Sequence, residues 1–548
     1  MELRIEPGDF SSEPSKMAGL SISAIVRQWA AVQPLAPAFI TPSSRSSWSD
    51  YNDCADLIAS ALTQTDQSNP VAIYLPDTMI FHAALCGAFR AGRVSVGIGA
   101  RSGIAEVAHL MDQANCRSLI TNREVVDGAD GNWLSRLWNL GAEPRTVIIA
   151  DETGDVEIRV TTRDGYDQIV FNKDWFAPMG EPFTIDDISM LNCTSGTTGL
   201  PKLVCQHEAR WIEFSKHAVL AGHLTGADIV CGVIPAPFGF GLWTSHFAPA
   251  FLGVPTVCME RFSVDTMIEL LDLERVTVLA CVSTQFKMLL RSEMAAKADL
   301  GSLRVMFSGG EAVPFSEALA FEKRTGAAVL QFYGSNESGA VSYTTVDDDP
   351  EVRLKTCGHV IEEMNVKVFD DEGNEVKGRI RRGQPGVFGP LMSKGYWNDD
   401  EANRELRSPE GWVLLGDVVE IDETGLVRVV GRKADIIIRG GKNISAVEVE
   451  EKISSHPLVA MVSVVGITDA IFGEKVCAVI VPQDGKVLTL SELVAWLADQ
   501  GITPEYFPEF VITTDRLPTG SGGKIAKGEV RLFAEQRIRG LDDIGGEQ

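Results

Sequence analysis

Up to about residue 350, short apolar runs alternate with helix-length amphipathic segments, and that alternation dictates a parallel α/β core. Val71–Leu75, Arg145–Ala150, Ile229–Ile234, Val276–Cys281, Leu303–Phe307 and Ala328–Phe332 have the length and β-branched content of buried strands. Met79–Arg90, Val264–Leu273 and Ser316–Arg324 read as helices between them, and parallel strands need such crossovers. The texture then changes. Val366–Phe369, Gly378–Ile380, Trp412–Leu415 and Leu426–Val430 read as short strands, split by turn signals at 371–374 and 422–425. Beyond Gly431 an α+β unit begins, with strands near Val462–Gly466 and Val476–Pro482 and helices near Ala446–Ser454 and Ser491–Gln500. The expected fold is α/β. A large N-terminal domain, 1–433, holds two α/β sheets and a β-barrel-like unit at 351–433. A small mobile α+β domain occupies 434–548, and from about Gly540 the chain is expected to loosen.

Charge narrows the partners. Lys plus Arg number 49 and Asp plus Glu 75, a net charge of −26, which repels nucleic acid and anionic membrane surfaces. The start, MELRIEPGDF, is not a secretory signal, and no apolar run is long enough for a membrane span. The ten cysteines show no CxxC pair or regular spacing and read as reduced thiols, so a cytoplasmic location is expected.

Thr194-Ser195-Gly196-Thr197-Thr198-Gly199-Leu200-Pro201-Lys202 points to a polyphosphate. Glycines let backbone N–H groups approach an anion, hydroxyls add donors, and Lys202 adds charge. The spacing is not that of a Walker A loop. The segment resembles the signature loop of the adenylate-forming superfamily, which includes acyl-CoA synthetases, adenylation domains of peptide synthetases and beetle luciferases. The resemblance continues in order from about Trp48 to Arg531.

That resemblance implies a role for each motif. Thr194, Ser195, Gly196, Thr197, Thr198, Gly199 and Lys202 would cradle ATP. Tyr333-Gly334-Ser335-Asn336-Glu337 is similar to a Tyr-Gly-x-Thr-Glu motif: by resemblance Tyr333 and Gly334 line the adenine, and Asn336 stands in for the usual Thr as a phosphate donor. Glu337 would hold Mg²⁺, a carboxylate being a suitable ligand for a hard cation. Ser308-Gly309-Gly310-Glu311 matches a strand end beside the adenine and the acyl group. Asp417 would take the ribose hydroxyls, and Arg432 would contact ribose and phosphate. In Gly520-Ser521-Gly522-Gly523-Lys524, the resemblance has Lys524 bridge the carboxylate and the α-phosphate. Lys524, Lys202 and Glu337 form the implied catalytic set. Cofactors would be ATP, Mg²⁺ and coenzyme A.

The C-terminal domain of such enzymes rotates between half-reactions about a pivot that falls here on Ala434, where Asp or Lys is usual. Gly440-Gly441-Lys442-Asn443-Ile444 resembles the loop that enters the site after rotation, so Gly440, Gly441 and Phe238 are expected to form the coenzyme A tunnel. Phe238, Gly239, Trp243 and Gly309 are expected to outline an apolar, roomy acyl pocket. Gly239 replaces the Asp that pairs an amino group in peptide-synthetase domains, which disfavours amino acids. A bulky, cyclic or aromatic acid is the first choice of substrate, a medium or long fatty acid the second. An acyl-AMP ligase serving a separate carrier protein is the alternative, and a non-catalytic nucleotide binder or a luciferase-like oxygenase is more remote. Many relatives are homodimers, but the oligomeric state stays open.

Overall fold

The computed structural model describes residues 19–64, 70–128, 132–151, 156–162, 165–169, 182–194, 201–310, 313–440, 442–486, 488–519 and 524–545. Two large mixed sheets carry the first part of the chain. The nine-stranded sheet runs in the order His359–Val360, Gly339–Tyr343, Ala328–Ser335, Val305–Gly309, Val278–Ala280, Val230–Gly232, Thr256–Val257, Pro37–Ile40, Arg45–Ser47. The eight-stranded sheet runs Leu203–Gln206, Met190–Cys193, Ser95–Ile98, Val71–Tyr74, Ser118–Thr121, Thr146–Ala150, Val156–Thr162, Gly165–Ile169. The strands predicted from sequence form the parallel centres. The outer strands are antiparallel, contrary to an all-parallel reading; Ala328–Ser335 and Gly339–Tyr343, for example, are joined by three residues, too few for a crossover helix.

The helix Met79–Arg90 matches its sequence prediction and is buried along its whole length. An added Cβ at Gly87 would stand 2.9 Å from the carbonyl of Ala55, so glycine lets this helix lie against Trp48–Thr63. Trp48–Thr63 starts where Ser47 and Asp50 form a reciprocal capping box.

The β-rich unit after residue 350 is a five-stranded antiparallel sheet: Asn365–Phe369, Ile380–Phe388, Asp417–Asp422 and Val427–Arg432, with Val413–Leu414 beside the second. Where a short strand was expected at Gly378–Ile380, the strand begins at Ile380 and continues to Phe388. Two of its glycines are close-packing positions. A Cβ at Gly383 would overlap the carbonyl of Phe369, and one at Gly386 the ring of Phe369. The final sheet has five strands, Lys442–Ser445, Ile436–Arg439, Gly473–Pro482, Val459–Asp469 and Phe510–Thr513. The last helix, Lys527–Gly545, runs past the point where loosening was expected. Among the described residues no helix is long and apolar enough to cross a membrane.

Burial has set several histidines low. It pulls His207 from 6.5 to about 4, and it depresses His217 and His246 as well. These rings stay neutral in the fold but protonate in the unfolded chain. Their contribution is therefore complete above pH 6.5 and is lost progressively as pH falls toward 4. We expect the thermal midpoint to decline through that window, at up to about 1.4 kcal/mol per pH unit for each fully buried ring. Calorimetry at stepped pH checks this, and a midpoint level across the window would count against it.

Candidate active site

The ends of adjacent strands bring the charged residues together. Met190–Cys193 and Leu203–Gln206 form a hairpin whose mouth is closed by two bonds. Thr194 N donates to Lys202 O at 2.9 Å, and Lys202 N donates to Thr194 Oγ1 at 3.1 Å. Thr194 and Lys202 are thereby fixed to each other at the ends of the two strands. Ser195, Gly196, Thr197, Thr198 and Gly199, like Glu311 and Gly441, lie outside the described residues.

Strand Ala328–Ser335 delivers Tyr333, whose hydroxyl donates to Asp417 Oδ2 at 3.0 Å. Asp417 opens its strand directly across from Arg432, which approaches its other oxygen at 3.7 Å. Burial raises the Asp417 carboxyl, opposed by Arg432, the Tyr333 hydroxyl and Lys524. Burial, followed by Asp417, pushes the Tyr333 phenol well above its usual value. Lys524 comes from the C-terminal unit and donates from Nζ to Gly310 O at 3.0 Å. Gly310 has φ +78°, and any Cβ there would collide with that ammonium. Lys524, Gly310, Tyr333, Asp417 and Arg432 thus converge.

Glu337 and Lys202 meet through a residue that sequence reading missed. The Tyr396 hydroxyl donates to Glu337 Oε1 at 2.9 Å, and Lys202 Nζ stands 5.1 Å from the centre of the Tyr396 ring. Burial, then Glu337, raises the Tyr396 phenol. The segment before it is tied down by Ser393 N to Glu337 O at 2.8 Å and by Gly395 O accepting from Cys205 N at 2.8 Å. The run Lys394-Gly395-Tyr396-Trp397 was the available signal. Arg210 was also missed. It is buried, donates to Asn336 O at 2.8 Å and bonds Gln206, while burial lowers its pKa against the pull of Glu337. It braces the turn that carries Glu337.

The Asn336 side chain, which the resemblance implies as a phosphate donor, is engaged here by its own neighbours. Its Oδ1 accepts from Asn192 at 3.2 Å and its Nδ2 reaches the Cys193 carbonyl at 3.4 Å. The space directly beside Gly239 and Gly309 is occupied by neighbouring atoms. A Cβ on Gly239 would overlap Asn336 Oδ1, and one on Gly309 would lie 2.7 Å from the Phe332 carbonyl. Gly239 is small because the Asn336 amide occupies the space above it.

Gly334 has a similar duty, since a Cβ there would overlap the Gly339 carbonyl. Phe238 is buried with its ring 3.4 Å from a Cβ built on Gly99. Trp243 is wrapped by aromatic rings: Phe214 stacks at 4.3 Å between centroids, and Phe332, Phe307 and Phe240 lie at 5.1, 5.3 and 5.5 Å. These rings hold the Trp243 indole in place. Gly440, at φ +57°, would meet only Phe472 of its own unit with a Cβ, so the β-turn it occupies is not beside Phe238 in this arrangement.

The family profile described as AMP-binding enzyme matches residues 26–397, and that of the AMP-binding enzyme C-terminal domain matches 448–524. The chain belongs to the AMP-binding enzyme family. The sequence resemblance is thereby borne out at the level of the family. The medium-chain fatty-acid–CoA ligase of Escherichia coli (strain K12) is 31% identical over 64% of this chain and 62% of its own length. The 2,3-dihydroxybenzoate-AMP ligase of Bacillus subtilis (strain 168) is 25% identical over 95% of each chain. In structure, the anthranilate CoA ligase AuaEII in complex with anthranoyl-AMP matches with TM-score 0.81 at 20% identity, over 96% of this chain and 100% of that one. That last likeness bears on the fold, which is the predicted α/β architecture with a small C-terminal unit.

Proposed function

We propose that this chain uses ATP to convert a carboxylic acid to an acyl-adenylate and pyrophosphate, and then forms the acyl-CoA thioester. The observation that carries the reading is Lys524, which crosses from the C-terminal unit to Gly310 beside Asp417. A carboxylate is already ionised at neutral pH, so the chemistry needs no general base. The obstacle is bringing an anion to a polyanion. Two like charges at about 4 Å repel by roughly 4 kcal/mol at an effective dielectric near 20. Lys524, Lys202 and Arg432 offset that repulsion and stabilise the charge that builds on phosphorus. Asp417, its second oxygen only loosely engaged by Arg432, accepts from the ribose hydroxyls.

Glu337 is the residue to hold Mg²⁺. Its carboxylate is steadied by Tyr396 on one oxygen and is a hard donor suited to that cation. The bound ion would neutralise phosphate charge.

The substrate we favour is a bulky or apolar acid without an amino group, since Gly239 offers no carboxylate to pair an ammonium. The names of the relatives fit this, covering medium-chain fatty, indoleacetic, ferulic and dihydroxybenzoic acids. Incubation with ATP, Mg²⁺ and a panel of acids, with and without coenzyme A, followed by mass spectrometry, tests the reading. Acyl-CoA from one class supports it. Acyl-AMP that ignores coenzyme A shifts the acceptor to a carrier protein, and no adenylate from any acid counts against activation.

We place the domain boundary and pivot at Ala434. This exposed residue lies in the turn Lys433–Asp435 between the last strand of one sheet and the first of the next. Lys433 is anchored on one side by Asp371 at 3.3 Å, and Asp435 on the other by Lys527 at 3.8 Å. Ala434→Pro is expected to keep adenylation within about threefold and slow thioester formation about tenfold or more by stiffening the pivot. Equal rates of thioester formation in the two proteins would remove Ala434 from that role.

A further inference from the structure

Behind the Phe238 segment lies a buried polar chain that adenylation does not use. Pro235-Ala236-Pro237 offers one backbone N–H, that of Ala236, because proline has none. It donates to Asp77 Oδ2 at 2.9 Å. Asp77 Oδ1 lies 3.0 Å from His82 Nε2, and His82 Nδ1 lies 3.3 Å from His246 Nδ1. Asp77, His82 and His246 are 5%, 0% and 3% exposed.

One proton arrangement satisfies all these contacts. His82 donates from Nε2 to the carboxylate, so its Nδ1 accepts, and His246 donates from Nδ1. Phe39 stacks on His82 at 4.8 Å, and the Tyr51 hydroxyl is 3.3 Å from the same His246 nitrogen. Nothing in the chain can shift alone without leaving a buried polar atom unpaired.

The two ends of the chain matter. Ala236 is two residues before Phe238. His246 belongs to the π-helical turn Trp243–Phe247, which also carries Trp243. Such turns concentrate where a helix has been bent for function. Segment and turn are the two pieces that flank the proposed acyl and thiol site.

We propose that Asp77, His82 and His246 are positioning residues. They form a buried strut that fixes the Pro235–Phe238 segment against the Trp243–Phe247 turn and so sets how the acid and the thiol are bound. The inference rests on the proposed ligase reading, but part of its test does not. Asp77→Ala is expected to raise the KM for acid and for coenzyme A about tenfold, with the KM for ATP within about twofold. Asp77→Asn, which keeps one acceptor for the Ala236 N–H but turns an amide donor toward His82, recovers part of the loss, and His246→Phe gives an intermediate loss. Hydrogen exchange of peptides spanning 234–238, read without any substrate, should be at least about tenfold faster at Ala236 in Asp77→Ala. Unchanged KM values for acid and thiol, or a rise shared equally by ATP, would reduce the chain to a purely structural feature. If wild type forms no adenylate from any acid, the ligase reading fails by itself. The exchange arm still decides the strut, which unaltered protection at Ala236 would overturn.

Discussion

Replacing Lys524 with alanine is expected to slow acyl-adenylate formation about a thousandfold, while thioester formation from supplied acyl-adenylate stays within about threefold. The basis is the contact of Lys524 Nζ with Gly310 O at 3.0 Å, with Asp417 close enough to feel the ammonium. On the proposed reading, the lysine holds the incoming carboxylate against a phosphate. Removing it returns roughly 4 kcal/mol of like-charge repulsion to the transition state, about three decades in rate. Lys202 and Arg432 stay, so some rate remains. In the second half-reaction the carboxylate is already joined to the phosphate as a mixed anhydride, and the lysine has no anion pair to hold together. Pyrophosphate exchange measures the first step, and single turnover of supplied acyl-AMP with coenzyme A measures the second. Equal loss in both would remove Lys524 from the proposed role.

Much of this arrangement was legible in the chain because it depends on local pattern. Met79–Arg90 and Val264–Leu273 declare themselves by helical periodicity, and Val71–Tyr74 by an unbroken apolar run between turn signals. The site residues Thr194, Lys202, Tyr333, Asp417, Arg432 and Lys524 stand in compact motifs, and the structure brings them to neighbouring strand ends. What stayed hidden depends on partners far away in sequence. Tyr396 gains meaning only when Cys205 and Glu337 hold its segment against Lys202. Arg210 looks like a helix-surface charge until burial places it on the Asn336 carbonyl. Gly239 and Asn336 are each ordinary alone, and their fit is a property of the pair. The antiparallel edges escaped for the same reason, since a strand in a hairpin and a strand before a crossover read alike.

Gly310→Ala should reproduce much of the Lys524→Ala behaviour without touching the lysine. Gly310 has φ +78°, where a side chain costs about 1 kcal/mol, and its Cβ would occupy the space of the Lys524 ammonium. Gly326 provides a matched control. It has the same φ, +78°, at the end of the helix Phe315–Thr325, with nothing within 4 Å of a built Cβ. Gly326→Ala therefore carries the backbone strain alone. Both variants should lose similar stability, a few degrees or less in thermal midpoint. Only Gly310→Ala should lose adenylation, by about thirtyfold to a hundredfold, because the lysine is pushed from its seat. Thioester formation from supplied acyl-AMP should survive in both. The double variant Gly310→Ala with Lys524→Ala should be scarcely slower than Lys524→Ala, since one interaction cannot be removed twice. Additive losses, or an adenylation defect shared by Gly326→Ala, would mean that Gly310 acts through the backbone rather than by seating Lys524.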